Sequence, residues 1–298
     1  MLLRQLEYLD AVAREGHFGR AAASCHVSQP ALSTGLQRLE VELGVTLIRR
    51  GRRFEGLTPD GEELLRWARA AMASVDGLTA EASRLRGSLA GTLRVGAIPT
   101  VAARIGGILS PFLADHPGVR VEFTTATPSV VLGGIADLQL DAGFVYVDVP
   151  LPDPVHTVPL YRDRLVLITS DARWTGDDGP VTWAEAAALP LCLLSPGMQK
   201  RALIDEAFAA AGVEVRPHVE ADSVAALLQL GLAGNSCIIG DTWLDGLPVP
   251  GGARVHPLVP EVAPTVGLVT RAGPLAPPVA RLLRTSLDSP PRSGPGDR

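Results

Sequence analysis

The chain is short of the residues that many functional classes depend on. Three cysteines occur in 298 residues, Cys25, Cys192 and Cys237, far apart and without a C-x-x-C pair. An odd, scattered set argues against a disulfide framework and reads as buried free thiols. The six histidines, at 17, 26, 116, 156, 218 and 256, show no metal-ligand spacing, so no metal site is expected. No apolar run approaches the ~18 residues of a membrane span, so no membrane partner is expected. The N-terminus, Met1-Leu-Leu-Arg-Gln-Leu-Glu-Tyr8, carries charges where a secretory signal has its apolar core, which predicts a cytoplasmic protein. G-x-S-x-G, P-loop, G-x-G-x-x-G and H-E-x-x-H patterns are all missing, so no catalytic residue and no cofactor is nominated. Lysine is nearly missing too: the basic residues are 26 Arg and one Lys, a bias attributable to genome composition.

What is present fits about two ordinary domains, with 46% hydrophobic and 20% charged residues. The net charge of −5 does not by itself suggest a nucleic-acid binder, but it is unevenly spread. Residues 1–90 hold 12 Arg against 11 acids and include the cluster Arg49-Arg50-Gly51-Arg52-Arg53; the remainder holds 15 basic and 21 acidic residues. Phosphate binding needs local positive charge, not a basic whole chain.

Leu2, Leu6, Leu9 and Ala13 recur at the spacing of an amphipathic helix, which Gly16-His17 ends. A short Ala-rich helix follows, then a turn at Cys25-His26-Val27. Ser28 is a good N-cap, with Pro30 in the first turn of a helix over 29–43. Leu32, Leu36, Leu39 and Leu43 form one face of that helix. Gln29, Pro30, Ser33, Thr34 and Gln37 occupy the other, with Arg38 at its margin and no acid among them. Such a face is either ordinary solvated surface or a reader of base edges and phosphates. The short turn before it favours the second, because a helix-turn-helix presents its second helix to the major groove. The apolar stretches flanking Gly51 read as a β-hairpin wing with an arginine tip, able to straddle the backbone or enter the minor groove. Without that context the tip would be a solvated loop.

Thr58 caps the next helix, with Pro59 at its first position and Asp60, Glu62 and Glu63 near its positive end. Leu64, Ala68, Ala71, Val75, Leu78, Ala82 and Leu85 follow at alternating spacings of four and three, a coiled-coil seam. It suits a second copy of the chain; the other option is packing onto the chain's own C-terminal part. Gly87-Ser-Leu-Ala-Gly91 reads as a flexible hinge. From Thr92 strand and helix patterns alternate as β-α-β-α-β and restart at Arg164, the mark of parallel sheets in two lobes with a cleft between them. Pro99-Thr100-Val101, Thr127-Pro128-Ser129 and Ser195-Pro196-Gly197-Met198 follow strand ends and open helices. They are either plain caps or a converging anion site. Ser289–Arg298 reads as a disordered tail.

Arg20-Ala-Ala-Ala, His26-Val-Ser-Gln-Pro-Ala-Leu-Ser33, Leu39-Glu-Val-Glu-Leu-Gly-Val45 and Leu57-Thr-Pro-Asp-Gly61 resemble the N-terminus of LysR-type transcription regulators over about sixty residues. The resemblance implies DNA contact by Ser28, Gln29, Pro30, Ser33, Thr34 and Arg38 on the helix and by Arg52 and Arg53 on the wing. Gly35 departs from the longer residue usual in that family. Arg94–Thr100, Leu140–Gly143, Pro159–Tyr161, Ala221–Ser223 and Ile238–Gly240 resemble the family's effector domain, itself similar to type 2 periplasmic binding proteins. Its ligand positions would fall on Thr100, Val101, Ser129, Phe144, Tyr146, Ser195, Met198 and Asp241; Phe144 and Tyr146 read equally as pocket wall or core. None of these is Arg or Lys, so an anion would be neutralised by backbone dipoles.

The fold class expected is therefore α/β: a winged helix-turn-helix over 1–58, a dimer helix and hinge over 59–91, and a two-lobed effector-binding domain over 92–288. Lobe I takes 92–162 and 266–288, and lobe II 163–265. The function implied is a DNA-binding transcription regulator gated by a small molecule, a small organic anion such as a carboxylate. By the resemblance it acts as a dimer of dimers on an interrupted palindrome of double-stranded DNA near promoters, with RNA polymerase as a further partner. The rivals are an enzyme built on the C-terminal region and an architectural DNA-binding protein without a ligand.

Overall fold

The computed structural model describes residues 1–50, 54–87, 89–171, 176, 179–245, 252–273 and 276–288. The chain opens with helices α1 (Leu3–Glu15), α2 (Phe18–Ser24) and α3 (Gln29–Leu43). The hairpin β1 (Ile48–Arg50) and β2 (Phe54–Leu57) and the long helix α4 (Pro59–Leu85) follow. Leu6, Leu9 and Val12 of α1 meet Leu32, Leu36 and Leu39 of α3 and Leu47, Ile48 and Leu65 in one core. Each of these buried side chains contributes about 1.5–3 kcal/mol. Two predicted core positions are displaced. Leu2 is exposed because it serves as the N-cap residue of α1, and Leu43 lies at the exposed end of α3. Tyr8 takes up core space instead, its ring lying where a Cβ on Gly35 would stand 2.7 Å away. Gly35 is thus a packing residue that admits the Tyr8 ring.

The turn between α2 and α3 places His26 at φ 55, which closes it in three residues. Thr58 Oγ1 donates to Thr46 O at 2.6 Å and accepts from Gly61 N at 2.9 Å, capping α4 on the hairpin. Arg69 of α4, buried, pairs with Asp10 of α1 at 2.7 Å. Beyond this anchor α4 leaves the core. Ala68 of the predicted seam packs inside the chain, whereas Val75, Leu78 and Leu85 are exposed.

The remaining elements, in chain order, are β3 (Ala90–Ala97), a 3₁₀ turn (Pro99–Ala103), α5 (Ile105–Asp115), β4 (Gly118–Thr125), α6 (Pro128–Ala136), β5 (Ala142–Tyr146), β6 (Val155–Arg162) and β7 (Leu165–Thr169). Then come β8 (Val181–Thr182), α7 (Trp183–Ala187), β9 (Leu191–Leu194), α8 (Gln199–Ala210), β10 (Val219–Ala221), α9 (Val224–Leu232) and β11 (Ser236–Gly240). A second 3₁₀ turn (Asp241–Leu244), β12 (Arg254–Val259), β13 (Thr265–Arg271) and α10 (Pro278–Asp288) complete the order. One sheet runs β4-β3-β5-β13-β6 and the other β10-β9-β11-β7-β12-β8. Both are mixed, which corrects the parallel expectation. β13 pairs antiparallel with β5 and β6, and β7 antiparallel with β11 and β12.

β3 starts at Ala90, so the predicted hinge is already strand at its C-terminal end. Thr265 pairs with Arg162 in the first sheet, one residue ahead of the predicted lobe boundary. The chain crosses between sheets after β6 and returns after β12, and Asp163 N donates to Pro264 O at 2.8 Å where the two crossings meet. In β7, Leu165 and Leu167 face the core with Trp183 and Phe208, while Val166 and Ile168 face the one with Leu227 and Cys237. Burial on both faces explains why these strands read as continuous apolar runs. The expected tail, 289–298, lies outside the described residues.

Candidate DNA-reading face and effector cleft

On α3, three leucines with no exposed surface hold one side to the core, and the other side faces out. Ser28, Gln29, Pro30, Thr34, Gln37 and Arg38 are exposed and Ser33 is half-buried. Ser28 accepts from Ala31 N at 3.4 Å as the N-cap. The predicted contacts on this helix therefore share one outward side, with no carboxylate among them. Arg52 and Arg53 lie outside the described residues; Arg49, on β1, is exposed.

Between the two sheets lies a cavity of about 40 Å³, walled by Ile98, Pro99, Thr100, Thr127, Pro128 and Tyr146 from one side and by Leu194, Met198, Gln199 and Lys200 from the other. A more open hollow of about 350 Å³, lined by His156, Arg284 and Asp288 among others, lies on edge strand β6 beside α10. The small cavity is the one framed by strand ends and helix starts. Its polar floor is a buried cluster on Asp163. That carboxylate accepts from Tyr146 OH at 2.8 Å and Thr242 Oγ1 at 2.8 Å, and Lys200 Nζ stands 2.7 Å away. Thr100 Oγ1 is 3.5 Å from the same tyrosine hydroxyl, and Trp243 Nε1 donates to Thr100 O at 3.1 Å. Burial pushes the Tyr146 hydroxyl well above its usual range, and the Asp163 charge adds to this. Burial lowers the Lys200 ammonium against the opposing pull of Asp163. Gly240 is required for space here, since a Cβ would fall 1.9 Å from Asp163 Oδ1.

A family profile described as "Bacterial regulatory helix-turn-helix protein, lysR family" matches residues 3–62, and one described as "LysR substrate binding domain" matches residues 86–289. The chain belongs to the LysR family. It is thereby a DNA-binding transcription regulator with an effector-binding domain. It is similar to the hydrogen peroxide-inducible genes activator of Escherichia coli O6:H1, 33% identical over 284 residues, covering 92% of this chain and 90% of that one. The HTH-type transcriptional regulator IlvR of Caulobacter vibrioides is 31% identical over 296 residues, covering 95% and 97%. A full-length OxyR variant from Pseudomonas aeruginosa superposes with a TM-score of 0.71 at 27% identity, covering 97% of this chain and 98% of that one.

Of the eight effector positions that the LysR resemblance suggested, Thr100, Tyr146 and Met198 line the cavity. Val101 and Phe144 have no exposed surface and belong to the core of the first sheet. Ser129 is exposed, 3.1 Å from Thr127 Oγ1, and its neighbours Thr127 and Pro128 form the wall instead. Ser195 stands before the start of α8, whose N-cap is Met198, and Asp241 sits on the second 3₁₀ turn outside the lining. The residues missed are Gln199 and, above all, Lys200. The expectation of a cleft without a fixed cation is thereby corrected. A signal was there to find it: Lys200 is the only lysine of the chain.

Burial raises the Asp241 carboxyl above its ordinary value, and the Asp163 charge adds to this. The ionised form is therefore costlier in the fold than in the unfolded chain. The stability tied to the neutral form is complete below the unfolded value of 3.8 and is lost as pH rises through the folded value. Asp241→Asn is expected to raise the melting temperature at neutral pH and to give no gain below about pH 3.8, as thermal unfolding across pH would show.

Proposed function

We propose that this regulator reads promoter DNA with α3 and the wing as a self-dimer joined along α4, and that a small molecule in the cleft between the sheets gates it. One observation carries the reading: the outward side of α3 is polar and free of acid, opposite three leucines with no exposed surface. Ser28, Gln29, Pro30, Ser33, Thr34 and Arg38 then contact the groove, and Arg52 and Arg53 the phosphates. In this reading 1–58 is the DNA reader, 59–91 the dimer helix and hinge, and 92–288 the sensor. The dimer rests on Trp67, Val75, Leu78 and Leu85, exposed by 71, 42, 71 and 74% on one stripe of α4. A single chain leaves that stripe in water, and a second copy covers it. Trp67 joins the seam one turn before Ala71. Two-fold pairing sets two α3 helices on successive major grooves and so predicts a pseudo-palindromic site. Association into a dimer of dimers, an interrupted palindrome beside a promoter, contact with RNA polymerase and a cytoplasmic location complete the proposal.

No reaction is assigned to the C-terminal domain. The relative named for hydrogen peroxide raises thiol oxidation as the signal, and the thiols here speak against it. Cys192 and Cys237 are buried neighbours on β9 and β11, and burial raises both, Cys237 to about 12. Protonated buried thiols react poorly with peroxide.

The test is binding to the DNA upstream of the gene, followed by fluorescence anisotropy across salt. Arg52→Ala with Arg53→Ala is expected to flatten the log–log salt slope by about 2, roughly 0.9 for each lost phosphate contact. Ser33→Ala is expected to relax sequence preference instead. An unchanged slope removes the wing from the interface. A monomer that ignores this DNA at low ionic strength removes the whole reading.

A further inference from the structure

We infer that the effector of this cleft is a small uncharged molecule carrying a hydrogen-bond acceptor beside a donor, of which a short primary amide is the simplest form. The inference rests on the effector reading above and narrows its ligand class.

The first observation is charge. Lys200 is the only cation in the cavity wall, and its Nζ already stands 2.7 Å from Asp163, with both side chains 1% exposed. The pair is neutral as it stands. A carboxylate ligand would add an unpaired negative charge beside Asp163 in a site closed to water, where desolvation costs most. An uncharged ligand meets no such cost.

The second observation is what the wall leaves unsatisfied. The Lys200 N–H bonds align with no acceptor well enough for a hydrogen bond, and the buried Gln199 Oε1 has no donor. Buried polar atoms are normally satisfied, and an unsatisfied pair on one wall calls for a partner. Lys200 offers donors and Gln199 an acceptor. Their complement is an acceptor oxygen beside an N–H or O–H, which a primary amide supplies on one carbon. A carboxylate has no donor for Gln199.

The third observation is size. A cavity of about 40 Å³ compares with the ~10–15 Å³ needed per water on the same measure, which leaves room for three or four non-hydrogen atoms. Ile98, Pro99, Pro128 and Leu194 offer it only apolar contact elsewhere. A ligand so small binds no more tightly than tens of micromolar, so millimolar probes are appropriate.

The experiment follows thermal unfolding of the full chain with acetamide and propionamide against sodium acetate and sodium propionate at matched ionic strength. The amides are expected to raise the melting temperature in proportion to the logarithm of concentration, and the carboxylates to leave it unchanged. Gln199→Leu, which removes the acceptor, and Met198→Trp, which fills the cavity, are each expected to abolish the amide shift. A shift by the carboxylates and not by the amides overturns the ligand class and leaves the effector reading standing. An amide shift that persists in both variants places the binding elsewhere and overturns the inference. If neither series shifts the protein, the inference falls; if Met198→Trp then also regulates its promoter as the parent does, the effector reading falls with it.

Discussion

Gly61→Ala is expected to destabilise the N-terminal half by about 3 kcal/mol or more, against the ~1 kcal/mol gain that Ala normally brings to a helix interior. The added methyl would stand 2.1 Å from the carbonyl oxygen of Leu47 and 2.9 Å from its carbonyl carbon. These are backbone atoms, and they cannot rotate away. The same oxygen accepts the N–H of Thr58 at 2.9 Å, so relief of the clash breaks the join between the hairpin and α4. Leu47 itself is fully buried and anchors the approach to β1. The control lies in the same helix: a Cβ at Gly77 meets only Pro278 Cδ, at 3.8 Å. Gly77→Ala is therefore expected to stabilise by about 0.4–1 kcal/mol. Denaturant unfolding of the two variants checks both signs. Equal effects would mean that the contact at Leu47 is not as close as described.

Lys200→Met is expected to cost about 3 kcal/mol, because it strands the Asp163 carboxylate without its cation while Tyr146 and Thr242 still donate to it. For a domain of roughly 200 residues this lowers the melting temperature by about 6–12 °C. Asp163→Asn added to Lys200→Met removes the stranded charge and is expected to recover most of the loss. In the single variant the carboxyl is held above its unfolded value. Stability then falls as pH rises through the folded value, and the deficit shrinks in acid. A loss of similar size in the double variant would assign the effect to packing rather than charge.

The N-terminal elements were legible because their signals are local. Ser28 and Pro30 mark the start of α3, Gly44 adopts φ 71 to end it, and the leucine spacing fixes its inner side. The seam of α4 was visible as periodicity, yet Ala68 turns inward and Trp67 outward, a choice made by where α1 docks. β6 and β12 went unread because Pro159 and Pro257 sit inside them, and proline demotes a strand reading. β6 is an edge strand, which tolerates it. α7 has five residues, too few for periodicity to show. The mixed sheets were hidden since β13 inserts beside β5 from more than a hundred residues away. For the same reason the cleft was only half legible. Thr100 and Tyr146 stand near strand ends and could be nominated, but Lys200 meets Asp163 only after the chain has crossed between sheets.

That lysine has no counterpart anywhere else in the chain. Protein grown with isotopically labelled lysine would give a single side-chain resonance, with no assignment to make. The signal originates inside the cavity wall, so each ligand, each variant and each DNA fragment can be followed by the displacement of one peak. The binding pocket thus carries its own spectroscopic probe, with no label to attach.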